Sequence, residues 1–275
     1  MKYKLSFLLI LGFVGLLYGV SDPQCPSGKS ESLTQFANSL SKTDLDSVRK
    51  ISIEFQKAAK EQTRECRESL FSIFHKFHSD FVNAKSQAMG ALGEWTKEKR
   101  AELAQVGIAV SDHEGFATLE EDPNWSKTQF GTLIPEVWVE YLTLKKREMD
   151  EKAVKSWDEV VQKIAAWESF LKKHQHFPEK EEVTGFLGAH IQDLLTGTET
   201  NSLYHESAEG SGKLKDDAKK TYEKFIQTQK NSKYFTLVKG FYDKLRANGF
   251  KWTKNLEVYL NSHGIRTVPG MMGGP

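Results

Sequence analysis

Apolar residues return every three or four positions along most of this chain, the spacing that gathers them on one face of a helix. Between Asp44 and Met89 the apolar stripe runs from Leu45 and Val48 through Phe55, Cys66 and Leu70 to Phe81, with no glycine or proline in the stretch. The spacing predicts one helix over 44–89, about 70 Å long if unbroken. A second stripe runs from Val137 and Trp138 through Trp157 and Trp167 to Leu171 and predicts a helix over 136–173. It thins near Lys145 and Lys146, where a kink or a change of partner is expected. Neither helix can cover its own stripe, and lying antiparallel buries both. The expected fold is therefore all-α, an elongated bundle built on two long antiparallel amphipathic helices.

Shorter periodic segments predict helices over 30–41, 94–106, 179–195, 213–229, 233–247 and 253–262. Gly90 and Gly93 mark a break after the first long helix. Residues 108–135 contain Gly115, Pro123, Gly131 and Pro135 without sustained periodicity, so they read as a long connector. No stretch alternates apolar and polar residues long enough to argue for a sheet. The expectation is a single all-helical domain over 22–267, followed by a glycine- and proline-rich tail, 268–275, expected to be disordered.

The first residues follow a different pattern. Two lysines within Met1–Lys4 precede a charge-free apolar run from Leu5 to Val20, and Gly19, Val20 and Ser21 are small or short. This is the layout of a secretory signal peptide over 1–21, cleaved near Ser21. The apolar run is shorter than the roughly 20 residues of a typical membrane-spanning helix. Secretion is expected, to the outside of the cell or to a bacterial periplasm. The 275 residues carry a formal charge of +1, and loss of Lys2 and Lys4 takes it to −1. A near-neutral chain with interleaved signs offers no footprint for nucleic acid and no polybasic membrane patch.

Compartment gives meaning to the two cysteines. An even count in an oxidising environment reads as a disulfide, here Cys25 to Cys66. It closes a loop of about 40 residues and is expected to add about 4 kcal/mol by restricting the unfolded chain. Asn124-Trp125-Ser126 is an acceptor sequence for N-linked sugar, which marks Asn124 as a candidate glycosylation site.

Candidate chemistry is sparse. His75 and His78 share a helical face, as metal ligands do, but a zinc site needs a third and usually a fourth ligand, and no second pair at helical spacing supplies them. No nucleophile elbow, HExxH, phosphate loop or EF-hand is present. The aromatic load is the stronger feature. Phe71, Phe74, Phe77 and Phe81 on one predicted helix and Trp138, Trp157 and Trp167 on the other either fill a core or line an apolar cavity between helices. The expected function is non-enzymatic and without a cofactor: binding or scaffolding through helical surfaces. The alternative is a carrier of an apolar small molecule, such as a fatty acid. The same stripes also suit closure of a homodimer.

Overall fold

The computed structural model describes residues 25, 28–89, 95–113, 116–150, 156–198, 201–205 and 212–266. Residues 1–21, where a signal peptide is expected, Gly90, Gly93 and the tail at 268–275 lie outside the described residues. Of the described residues, 71% are helical and 6% are in strands. The all-α class therefore holds broadly, while the two-rod architecture and the purely helical composition need correction.

The stretch 44–89 is two helices rather than one. After α1 (Lys29–Ser39), α2 spans Leu45–Ala59 and α3 spans Arg64–Met89. Glu61 lies between them in the left-handed region at φ 64°, and the Thr63 hydroxyl caps α3 by accepting a hydrogen bond from the Cys66 N–H at 3.3 Å. The chain folds there and packs one half of the stripe against the other. Phe55 of α2 meets Phe71 and Phe74 of α3 at ring distances of 5.5 and 5.7 Å. A folded stripe covers itself, which a straight rod cannot do.

The second rod is likewise divided into α6 (Glu136–Asp150) and α7 (Trp157–Lys173). Ser156 starts α7 with a reciprocal cap: its hydroxyl accepts from the Glu159 N–H at 3.3 Å, and the Glu159 carboxylate accepts from the Ser156 N–H at 3.2 Å. Residues 151–155 lie outside the described residues.

The expected connector is ordered. After α4 (Lys97–Ala104), β1 (Ile108–His113) pairs antiparallel with β2 (Phe116–Glu121), with Ile108 opposite Glu121 and Val110 opposite Leu119. Helix α5 (Pro123–Phe130) and a single 3₁₀ turn (Gly131–Leu133) follow. Asp122 caps α5 through the Asn124 N–H at 2.9 Å, with Pro123 in the first helical position, where its missing N–H costs nothing. The hairpin enters through Gly107, at φ 77°. A Cβ there would stand 2.4 Å from the Trp125 ring. Trp125 in turn stacks on His78 at 5.4 Å and donates to the Gln105 carbonyl at 3.1 Å.

Helices α8 (Lys180–Thr196), α9 (Asp216–Thr228), α10 (Phe235–Ala247) and α11 (Lys254–Ser262) complete the chain. The buried apolar side chains form one continuous cluster. Cys25 and Cys66 are disulfide-bonded with Cα atoms 4.4 Å apart, tying the segment before α1 to the first turn of α3.

Two outcomes are expected. Cys25→Ser should lower unfolding free energy by about 4 kcal/mol, the loop-closure value for this separation of 41 residues. Urea denaturation of the oxidised chain and the variant measures it, and equal midpoints would show that the crosslink does not restrict the unfolded chain. Gly107→Ala should cost at least about 2 kcal/mol by the same measurement, combining a positive φ with displacement of the Trp125 ring.

Candidate functional site

A group of charged side chains sits inside the fold where α3, β2, α6 and α8 meet. Each arrives for a local reason. Alternation along β2 turns Leu119 and Glu121 to the same, inward face, and both are buried. Tyr141 and Lys145 lie one turn apart on α6 and share a face. Glu179 and Glu182 stand at the N-terminal end of α8, where the helix dipole favours carboxylates. His75 comes from the inner face of α3, packed on Trp138 at 4.8 Å between ring centres.

Lys145 is the hub. Its Nζ lies 2.9 Å from Glu121 Oε2 and 3.0 Å from Glu182 Oε1, and it donates to the Tyr141 hydroxyl at 3.2 Å. The Tyr141 hydroxyl donates a short hydrogen bond to Glu182. His75 stands between two carboxylates, with Nε2 3.3 Å from Glu121 Oε2 and Nδ1 3.5 Å from Glu179 Oε1. Neither His75 nitrogen makes an aligned hydrogen bond, so these contacts act as charge pairs. The side chains of His75 and Glu121 are only 5% and 8% exposed, so their attraction is little screened by water.

The protonation states follow. Burial opposes a charged His75, but the neighbouring Glu121 carboxylate outweighs it and raises the pKa to about 9. Burial works against an ionised Glu121 too, yet His75 and Lys145 hold it well below the usual carboxylate range. Lys145 is raised, since Glu121 and Glu182 overcome its desolvation. Tyr141 is pushed far up by burial and by the Glu182 charge. His78 is lowered by burial, and its Nε2–H donates to the Val106 carbonyl at 2.8 Å.

This network forms one side of a cleft of about 420 Å³. The cleft is lined by Glu120, Glu121, Glu148, Glu182 and Lys145 on its polar side and by Val82, Leu119, Met149 and Phe186 on its apolar side. Glu148 anchors a second cluster: it accepts from Trp167 Nε1 at 2.8 Å and His190 Nε2 at 3.0 Å, and Lys163 lies 3.3 Å away. Oε1 of Glu121 has no hydrogen-bond partner among the described residues.

The residues singled out from sequence fall in three places. Phe71, Phe74, Phe77, Phe81, Trp138, Trp157 and Trp167 are all buried. Several pack ring against ring, Phe71 on Trp138 at 5.0 Å among them. His75 and His78 take different partners, and among the described residues no group of three or more potential ligands could hold a metal ion. Asn124 is exposed in the first turn of α5. Glu121, Lys145, Glu179 and Glu182 were not anticipated, because charged residues on amphipathic segments ordinarily face water. One trace of them exists in the sequence, the thinning of the apolar stripe at Lys145.

Removing the hub should leave Glu121 with His75 as its one cation and Glu182 with the Tyr141 hydroxyl. Lys145→Met is expected to destabilise the fold in urea denaturation, by less than the roughly 3–5 kcal/mol of a buried charge left with no partner, and a cost near zero would show that the network carries no net attraction. The pH dependence has a fixed sign. His75 is raised from 6.5 to about 9, so its contribution is complete below pH 6.5 and is lost as pH rises through 9. Glu121 is depressed from 4.5, so its contribution is present above pH 4.5 and is lost as pH falls through its lower folded value. The melting temperature should fall by several degrees between pH 6.5 and 9, and His75→Gln should flatten that decline.

No family model matches this sequence, and no curated protein or solved structure matches it either. The functional reading therefore rests on the residues of the cleft.

Proposed function

We propose that this chain is a secreted, non-enzymatic binding protein whose ligand occupies the cleft between α3, β2, α6 and α8. The observation that carries this reading is the cleft itself: a concave site of about 420 Å³ with one apolar wall and one wall of fixed, buried charges. Small-molecule sites have this size and this division of labour, with apolar area for affinity and a few placed polar groups for orientation.

The protonation states support binding rather than proton transfer. A general acid or base works best with a pKa near the working pH. Here every strong shift moves the other way. His75 and Lys145 are held cationic, Glu121 anionic and Tyr141 neutral. Ion pairs this well matched make a rigid floor and poor proton carriers.

The leader at 1–21 and the Cys25–Cys66 disulfide support secretion. Among the described residues no helix is long and apolar enough to cross a membrane. A fatty acid suits the cleft poorly, because its carboxylate would meet Glu120, Glu121, Glu148 and Glu182.

Nile red, a neutral apolar dye, tests the site. Titration into the processed full-length chain should give saturable one-to-one fluorescence. Asn83→Trp places a bulky ring on an exposed position at the cleft and should weaken the dye at least tenfold. A signal that does not saturate, or that ignores this substitution, would overturn the cleft as the binding site. N-terminal sequencing of the exported protein should begin near Ser21, and retention of Met1 would remove the secretion part of the reading.

A further inference from the structure

We propose that a second cleft, where the turn between α9 and α10 meets α7 and α8, takes a short saccharide bearing sulfate or phosphate esters, its anionic groups seated between Lys172, Lys180 and Lys233. This cleft shares no lining residue with the one between α3, β2, α6 and α8, and the two stand or fall separately.

The cleft forms where helices begin and end. Helix α7 carries Glu168 and Lys172 one turn apart, on one face. Lys180 opens α8, and Leu187, two turns further along the same face, is fully buried. Helix α9 ends at Thr228, and the turn that follows is pinned to α7 by the Lys233 N–H, which donates to Glu168 Oε1 at 3.0 Å. The space enclosed is about 650 Å³, room for about two sugar rings.

The lining is positive and the charge is not cancelled. Lys172, Lys180 and Lys233 line the cleft against one carboxylate, Glu168, which already accepts the Lys233 N–H. Among the described residues none of the three ammonium groups is in an ion pair. Lys233 Nζ rests 4.7 Å over the Tyr234 ring, a contact that places the charge without neutralising it. Ammonium groups only donate, so they call for a ligand rich in acceptors.

The near-zero net charge of the chain hides a division that points the same way. Residues 212–266, which hold α9, α10 and α11, carry 13 lysines and arginines against 5 aspartates and glutamates, a formal charge of +8. The whole chain carries +1, so the remainder carries −7. An asymmetry of this kind marks the basic part as the one that meets anions, and its field concentrates them at a cleft in its wall.

The groups between the lysines name the body of the ligand. Gln175, Gln229 and Asn231 offer amide donors and acceptors, and Ser169 a hydroxyl. Sugar hydroxyls satisfy such groups, whereas an acyl chain would strand them. Among the described residues that line the cleft none is aromatic, so a nucleobase finds no ring to stack on.

Calorimetric titration of a trisulfated disaccharide and, in parallel, of fructose 1,6-bisphosphate into the processed full-length chain tests the assignment. Saturable one-to-one binding is expected, and the tighter of the two identifies the ester. Lactose and inorganic sulfate should each bind at least about tenfold more weakly. Lys172→Glu combined with Lys180→Glu should weaken the charged sugar at least about tenfold, as should raising salt from about 50 to about 500 mM. Should that variant fail to fold, Lys233→Glu carries the same direction. Lys50→Glu, an exposed change on α2, controls for net charge and should leave binding within about twofold. Glu168→Gln keeps the oxygen that accepts from Lys233 and removes the one opposing charge, so it should tighten binding several-fold. Lactose or inorganic sulfate bound as tightly as the charged sugars overturns the saccharide assignment. A lysine variant no weaker than Lys50→Glu, or duplex DNA bound more tightly than either sugar, overturns the site.

Discussion

A column of aromatic rings sets the positions of the helices that bear the site. Phe55 packs on Phe71, Phe71 on Trp138, and Trp138 on Tyr141 and Phe177, with ring centres 4.7 to 5.6 Å apart. Tyr141 continues to Trp167 at 6.2 Å. Each contact joins residues of α2, α3, α6, α7 or the segment leading into α8, so a shift of one helix disturbs its neighbours in turn. Edge-to-face pairs have preferred angles as well as distances, which gives the column directional stiffness that aliphatic packing lacks.

The charged network is hung on this column. His75 touches Trp138 and Tyr141, and Tyr141 presents its hydroxyl to Glu182 and Lys145. The rings exclude water, and exclusion strengthens every attraction within the network. It also makes an incomplete set of partners expensive. The aromatic core and the ionic site are thus two halves of one arrangement: the first lowers the local dielectric constant by excluding water, and the second needs that lowering to hold its protons where they are.

Much of the helix content was legible because periodicity reports a buried face directly. The Cys25–Cys66 bond was legible from cysteine count and compartment. The breaks were harder to see. No glycine or proline separates α2 from α3, and the apolar spacing carries through the turn, so periodicity alone reads one rod. The local signals were Thr63 and the Ser156–Glu159 pair, both helix starts by their side-chain chemistry. The hairpin was hidden by its shortness, since each strand is only 6 residues long. The site was least legible. Its residues come from positions 75, 121, 145, 179 and 182, and a buried glutamate has the same letter as a solvated one. Only the folded chain shows that these five side chains converge.

The balance among His75, Glu121 and Lys145 constrains how this sequence can drift over generations. Glu121, changed by itself, takes one carboxylate from two enclosed cations at once, whereas loss of His75 or Lys145 leaves Glu121 with the other. Replacing the whole set by well-fitting apolar side chains of similar volume can be neutral or even favourable. Glu121 should therefore seldom change by itself among descendants of this chain, and the set should turn apolar together. A lineage that took the apolar route would keep the fold and lose the charged floor of its cleft.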